Sequence, residues 1–313
     1  FPQMVAGPIV RAADFLPQIG QPLMITREMF GRGVFLFCIG LFKKAVISDY
    51  ISLNFVDRVF ETPAQYTGLE NLLGVYGYAL QIYCDFSGYS DMAIGIGLLL
   101  GFHFPINFDS PYQSRSITEF WRRWHISLST WLRDYLYISL GGNRKGRVRT
   151  YINLMLTMLL GGLWHGAATR FIIWGGLHGA ALAIERWWKE IFPQKPGLLR
   201  QLFGGLWTFH FVCFCWIFFR AKDMQTAQAM LEQMAFAFHS EVWLEFLLGY
   251  GPGVFWMVLG YGLHLLPTSW ERVAERQVTA LHWTFKALLI CLVAVLVMQV
   301  KSSDVQPFIY FQF

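Results

Sequence analysis

An all-α polytopic membrane protein is predicted by three features of this 313-residue chain: 55% hydrophobic residues, 18% aromatic residues and only 14% charged ones. An average soluble domain carries about 25% charged residues. With 29 Phe, 13 Trp and 13 Tyr, the chain has more apolar surface than one aqueous core of this length would hide, and Trp and Tyr suit the two membrane interfaces. The net charge of +5 is too small and dispersed for nucleic acid, so no nucleic-acid partner is expected; it is ordinary for basic cytoplasmic loops. Cys38, Cys84, Cys213, Cys215 and Cys291 sit in apolar runs with no CxxC pair or His/Cys spacing. They read as small buried hydrophobes, and no metal site is expected.

Spanning segments are expected at about 33–53, 69–84, 89–104, 151–168, 170–187, 202–219, 253–267 and 284–300. A bilayer's hydrocarbon core needs roughly 20 helical residues, and several of these fall short, so re-entrant or interfacial helices are expected among them. Lys43, Lys44, Asp85, Asp91, Arg115 and Arg170 interrupt the apolar runs. Each would cost about 2.5–3.5 kcal/mol at mid-bilayer, so these side chains must face protein, water or headgroups. The Asp85–Asp91 phrase, with two acids and three hydroxyls, is read as a polar break. The loop Asn143–Thr150 holds Arg144, Lys145, Arg147 and Arg149 without an acid, which places it in the cytoplasm. The stretch from Arg186 to Arg200 is read as a second cytoplasmic basic loop, so residues 151–187 must cross twice or enter and return. Gly161, Gly162, Gly166, Gly175 and Gly176 permit close helix packing there. No internal repeat or second domain is visible. The chain opens at Phe1 with no initiator Met and no signal peptide, so residues 1–313 are expected to be a single membrane-embedded domain lacking its N-terminal transmembrane helices.

Ser116 to Tyr135 carries the densest chemistry. Ser116 with Glu119 makes a capping box, and no Gly or Pro follows before Gly141, so one helix is predicted from here. Its apolar positions recur at helical spacing, while Glu119, Arg122, Arg123, Arg133 and Asp134 lie largely elsewhere around the cylinder. Such a helix lies in the interface or lines a cavity, with Trp121, Trp124 and Trp131 suited to the headgroup boundary. His125 falls on the face of Trp121, Leu128 and Leu132, a placement that more often means packing than chemistry. Arg115, Arg122, Arg123 and Arg133 either anchor lipid phosphates or hold the phosphates of a nucleotide-containing donor. Spacing does not choose between the two.

His165 stands in Gly161-Gly162-Leu163-Trp164-His165-Gly166, an imidazole in an otherwise apolar run. An intramembrane ionisable residue is a functional hypothesis by default. A neutral imidazole can take a proton from a hydroxyl nucleophile where water is excluded; the alternative is an interhelical hydrogen bond, to His178 or a hydroxyl. His178, in Gly175-Gly176-Leu177-His178-Gly179, ranks below it. No GxSxG elbow, P-loop, HxxxxD or dinucleotide fingerprint occurs, so a serine nucleophile and an ATPase are not supported.

Four phrases together resemble the membrane-bound O-acyltransferase family: Phe1-Pro2-Gln3 with Ala6-Gly7-Pro8, Asp85-Phe86-Ser87-Gly88-Tyr89-Ser90-Asp91, Phe120-Trp121-Arg122-Arg123-Trp124-His125-Ile126-Ser127, and Gly161-Gly162-Leu163-Trp164-His165-Gly166. The likeness is to the bacterial polysaccharide branch, covers nearly the whole chain and extends to the closing Phe308–Phe313. It implies a multi-helix membrane fold with a central tunnel, in which a cytoplasmic acyl donor meets an acceptor from the other side. The family's catalytic histidine falls on His165 and its second functional histidine on His125. The implied activity is O-acetyl transfer from acetyl-CoA or another acyl thioester, as donor substrate with no bound cofactor, toward an exported polysaccharide such as alginate. Also implied are a bacterial inner-membrane location and periplasmic acetyltransferase partner proteins. Two rival classes are a transporter, which would predict internal repeats, and a scaffold subunit of a secretion complex without covalent chemistry.

Overall fold

The computed structural model describes residues 2–192, 197–300 and 308, and every regular element among them is helical. The first half holds α1 (Ala12–Ile19), α2 (Arg27–Leu41), α3 (Asp49–Ile51), α4 (Asp57–Glu61), α5 (Gly68–Leu99), α6 (Ile117–Arg123) and α7 (Ile126–Trp131). The second holds α8 (Arg147–His165), α9 (Thr169–Ile191), α10 (Leu198–Arg220), α11 (Met224–Phe236), α12 (Trp243–Leu265), α13 (Thr268–Ala280) and α14 (Trp283–Val300). Among the described residues, three stretches are long and apolar enough to cross a bilayer: Leu198–Arg220, Ser240–Leu265 and Trp283–Val300. The chain divides into two compact units, one built from residues up to Asn54, Leu80–Asp109 and the part from Pro252, the other from Phe55–Ala79 and Ser110–Gly251.

In the first unit, α2 and the later part of α5 approach backbone to backbone. A Cβ on Gly33 would lie 2.9 Å from the carbonyl oxygen of Gly95, and one on Gly88 would lie 2.6 Å from that of Gly40. The two glycine pairs repeat at seven residues on each helix, so both contacts fall on one stripe. The expected spans at 69–84 and 89–104 are corrected by this packing: α5 runs unbroken from Gly68 to Leu99, and Asp85–Asp91 is helical rather than a break. The helix tolerates these acids because cations reach them from the π-helical turn Phe42–Ser48 that follows α2. Lys43 Nζ lies 2.8 Å from Asp91, and Lys44 Nζ lies 2.6 Å from both Asp85 and Asp49. Gln81 Nε2 donates to Ser52 Oγ at 2.9 Å and Ser48 Oγ to the Gln81 carbonyl at 3.1 Å. The interruptions thus face protein, as bilayer energetics require. The Tyr89 hydroxyl donates to the Pro2 carbonyl at 2.8 Å, and Phe308 packs on Phe86 and Tyr89, so the opening, second and closing family-like phrases meet here. Phe1 and residues 309–313 of those phrases lie outside the described residues. Four cysteines are buried as expected, but Cys291 on α14 is exposed.

Amphipathic α13 is closed at its C-terminus by side chains rather than by a glycine. Lys286 Nζ, buried, donates to the carbonyls of Thr279 at 3.0 Å and Leu281 at 2.7 Å, and Arg27 donates to that of Ala280 at 3.2 Å. A cation on orphan C-terminal carbonyls also complements the helix dipole. Lys286→Met should therefore lower the melting temperature in detergent, by an amount equivalent to about 1–2 kcal/mol. An unchanged transition would show that water satisfies these carbonyls equally well.

In the second unit, α8 and α9 form a hairpin joined by Gly166–Ala168. A Cβ on Gly162 would collide with the Phe171 carbonyl, one on Gly175 with the Met158 backbone, and one on Gly179 would lie 2.9 Å from Met155 Sδ. Gly161 and Gly176 meet only side-chain methyls at 3.4 and 3.7 Å, so the close packing of the helix pair rests on the expected Gly162 and Gly175 together with Gly179. The second basic loop is corrected. Arg186 and Lys189 belong to α9 and pair with Glu190 and Glu185, Arg200 belongs to α10, and Pro193–Pro196 lie outside the described residues. Asn143–Thr150 is exposed up to Arg149, and Arg147 reaches Glu190 at 3.4 Å.

Candidate active site

The site belongs to the second unit and starts from the capping box. Ser116 Oγ accepts the Glu119 amide at 3.1 Å and starts α6 as expected, while Glu119 Oε2 accepts the Arg115 amide at 2.9 Å and its Oε1 pairs with Arg123 at 2.9 Å. The single helix expected from Ser116 is corrected: α6 ends at Arg123, Trp124 is extended, and His125 adopts φ 43°, ψ 56° before α7 begins. A left-handed non-glycine residue costs about 1–2 kcal/mol. The break is held by burial. Trp124, 3% exposed, stacks on Phe120 with ring centroids 5.6 Å apart and packs on Trp216 at 5.0 Å. The break removes His125 from the face of Trp121 and Leu132 and encloses it, 4% exposed. Of the three tryptophans assigned to the headgroup boundary, only Trp131 is exposed.

His165 is the last residue of α8. Gly166 follows at φ 157°, ψ 151°, in a region essentially reserved for glycine, and a Cβ there would lie 2.6 Å from the Phe171 ring. The chain therefore turns directly after His165 and leaves the residue half-buried at a helix end, with its ring Nδ1 buried. Around it stand Phe219 at 5.0 Å, Trp174 at 5.3 Å and Trp164 at 5.2 Å, all edge-on. Arg170 braces this wall, donating from Nη1 to the Phe219 carbonyl at 2.7 Å with its guanidinium 4.1 Å from the Phe171 ring centroid. His125 lies within electrostatic reach of His165: burial, and then His165, push the His125 imidazole down to about 3. An unfolded histidine titrates near 6.5. Between those values the unfolded chain binds the extra proton, so stability falls as pH falls. The melting temperature should drop more steeply from pH 7 to pH 5 in the wild type than in His125→Asn, which keeps a residue tolerant of the left-handed region. Parallel curves would show that His125 takes up its proton in the folded state.

Beside this pair lies a cavity of about 600 Å³, lined in part by Trp121, Arg122, Arg133, Tyr137, Thr157 and Met158. The π-helical turn Leu132–Tyr137 that follows α7 supplies several of these side chains, and such widened turns are frequent at functional sites. Of the four candidate arginines, the structure brings Arg122 and Arg133 together on the cavity wall. Arg115 and Arg123 lie outside the lining; Arg123 pairs with Glu119, and Arg133 on the wall pairs with Asp134 at 2.7 Å. Met158 precedes His165 by seven residues on α8, so the histidine lies roughly 10 Å further along the same face. Neither His165 nor His125 is on the cavity wall itself. Thr157, Met158 and Tyr137 are not legible as lining residues before the chain folds, since nothing in their spacing separates them from lipid-facing neighbours.

Long apolar helices, with one imidazole half-buried at a glycine-terminated helix end and a second wholly buried, define a helical membrane protein that holds ionisable groups in its interior. The model of the membrane-bound O-acyltransferase family matches residues 1–228, and the chain belongs to that family. It is 42% identical over 335 residues to a "Probable alginate O-acetylase AlgI" of Pseudomonas putida, covering 100% of this chain and 67% of that protein. It is 50% identical over 234 residues to the protein of the same name in Pseudomonas aeruginosa, covering 75% and 44%. A "Peptidoglycan O-acetyltransferase" of Helicobacter pylori is 44% identical over 236 residues, covering 75% and 45%. The chain thus spans two thirds of the first of these relatives and less than half of the other two.

Proposed function

We propose that this chain carries the transfer centre of a bacterial inner-membrane O-acetyltransferase, with residues 1–313 acting as one acyltransferase domain. The donor is acetyl-CoA or another acyl thioester from the cytoplasm, and the acetyl group is destined for an exported polysaccharide. The relatives named for alginate and peptidoglycan support a cell-envelope polymer as final acceptor. The observation that carries the reading is His165 at the glycine-terminated end of α8, with the buried His125 within its electrostatic reach, in the unit whose cavity presents Arg122 and Arg133. His165, partly exposed, takes the proton of the acceptor hydroxyl as its oxygen attacks the thioester carbonyl. His125, kept neutral by burial, has an N–H to offer the carbonyl oxygen as negative charge develops there. The C–S bond then breaks, and the departing thiolate receives the proton that His165 holds. A transient acetyl-imidazole on His165 gives the same overall balance in two displacements. The immediate acceptor is a hydroxyl of the polymer or of a periplasmic partner protein that completes delivery.

The arginines on the cavity hold the donor's phosphates through charge-assisted hydrogen bonds, and the positive charge of the loop Asn143–Thr150 supports a cytoplasmic side for them. Radiolabelled acetyl-CoA added outside inverted inner-membrane vesicles bearing full-length protein should give covalently acetylated acceptor. Label that crosses the membrane still attached to its carrier, or no label transfer, would replace this reading with transport or a scaffold role. A Lys145→Cys variant should resist impermeant thiol reagents in intact spheroplasts and react after lysis; reaction before lysis would put the donor on the wrong side.

A further inference from the structure

We infer that His178 is a positioning residue that ties the cavity wall to His165 through a hydrogen bond with Trp121, an inference that rests on the acyl-transfer reading for its kinetic consequence. Trp121 belongs to the cavity wall, and its indole Nε1–H donates to Nδ1 of His178 at 3.3 Å. A neutral imidazole that accepts at Nδ1 carries its proton on Nε2, so this bond fixes the tautomer. His178 is fully buried on α9, and its Nε2 has no hydrogen-bond partner among the described residues. Phe120, Trp121, Trp174 and Phe211 surround the ring at 6.2, 5.1, 5.0 and 5.6 Å.

A hydrocarbon side chain would fill the same ring-lined space without stranding a buried N–H, and stranded buried donors are rare enough to call for an explanation. What imidazole supplies and a hydrocarbon does not is an acceptor for Trp121. One turn earlier on α9, Trp174 touches both histidines, edge-on to His165 at 5.3 Å and against His178 at 5.0 Å. Trp121 also meets Trp174 directly at 5.7 Å. The indole that shapes the cavity and the indole that braces His165 therefore share one partner. Rotation of Trp121 away from His178 would alter where a ligand in the cavity sits relative to His165, and small misplacements of reacting groups cost turnover steeply.

The test uses full-length protein carrying His178→Leu, His178→Asn, Trp121→Phe or the Trp121→Phe/His178→Leu pair. His178→Leu and Trp121→Phe should each lower kcat for acetyl transfer about tenfold, with the donor KM changing much less because Arg122 and Arg133 still hold the phosphates. His178→Asn, which restores an acceptor, should recover most of the loss, and the double variant should be no worse than His178→Leu alone. Independently of activity, the indole N–H resonance of Trp121 in 15N-tryptophan-labelled protein, assigned by its loss in Trp121→Phe, should shift in His178→Leu and stay near its wild-type position in His178→Asn. Equal kcat in the wild type and His178→Leu, equal losses for Asn and Leu, additive losses in the double variant, or an unmoved resonance would each overturn the positioning role. A wild type that transfers no acetyl would instead sink the acyl-transfer reading, with the resonance still deciding whether the bond exists.

Discussion

Acetyl transfer by the His165→Ala variant is expected to fall by about 10²–10⁴-fold or more, because the variant loses either the general base or the imidazole that carries the acetyl group. The fold should survive the change. His165 is the terminal residue of α8, it is only half-buried, and the turn after it is set by Gly166 rather than by the imidazole. Expression, membrane insertion and detergent melting should therefore stay close to wild type, which separates lost chemistry from lost protein. The measurement is polymer acetylation in cells carrying only the variant, with protein level monitored alongside. Near-normal acetylation at normal protein level would remove His165 from the mechanism and leave it as a member of the ring cluster with Trp174 and Phe219.

The second large effect concerns Arg122 and Arg133. Each hydrogen bond from a guanidinium to a phosphate oxygen in a partly enclosed site contributes about 1.5–3 kcal/mol, so Arg122→Gln or Arg133→Gln should raise the donor KM roughly tenfold to a hundredfold. Turnover at saturating donor should change little, since a contact remote from the reacting carbonyl holds ground state and transition state alike. Arg123→Gln provides the contrast. Its guanidinium lies off the cavity wall and pairs with Glu119, whereas Arg133, which pairs with Asp134, is on the wall itself, and losing a partly exposed i,i+4 pair should leave donor KM within about twofold. Donor KM unchanged in the Arg122 and Arg133 variants would show that the cavity receives another ligand and that these arginines serve lipid phosphates.

The membrane class, the capping box at Ser116 and the singular setting of His165 were legible without a structure because each depends on composition or on neighbours within a few residues. Apolar excess sets the solvent whatever the topology, a hydroxyl three residues before a glutamate caps a helix locally, and an imidazole flanked by glycines in an apolar run is conspicuous by its cost. The continuity of α5 is hidden in the sequence for the opposite reason. Asp85 and Asp91 look like a break until Lys43 and Lys44 arrive from a different helix to pair with them. The seven-residue glycine repeats that make this approach possible, Gly33 with Gly40 and Gly88 with Gly95, stood in the sequence as an unread signal.

By itself, then, the sequence determined that this is a helical membrane protein, that His165 has its most unusual setting, and that a cluster of arginines surrounds His125. The tertiary structure alone decided which arginines serve the cavity and which histidines have company. The helical phase predicted from Ser116 fails at His125, where the backbone turns left-handed so that Trp124 can pack against Trp216, and shifts again at the π-helical turn that carries Arg133. Helical periodicity places side chains only while the helix continues. Here a contact between residues more than ninety positions apart stops it, and that contact exists only once the chain has folded.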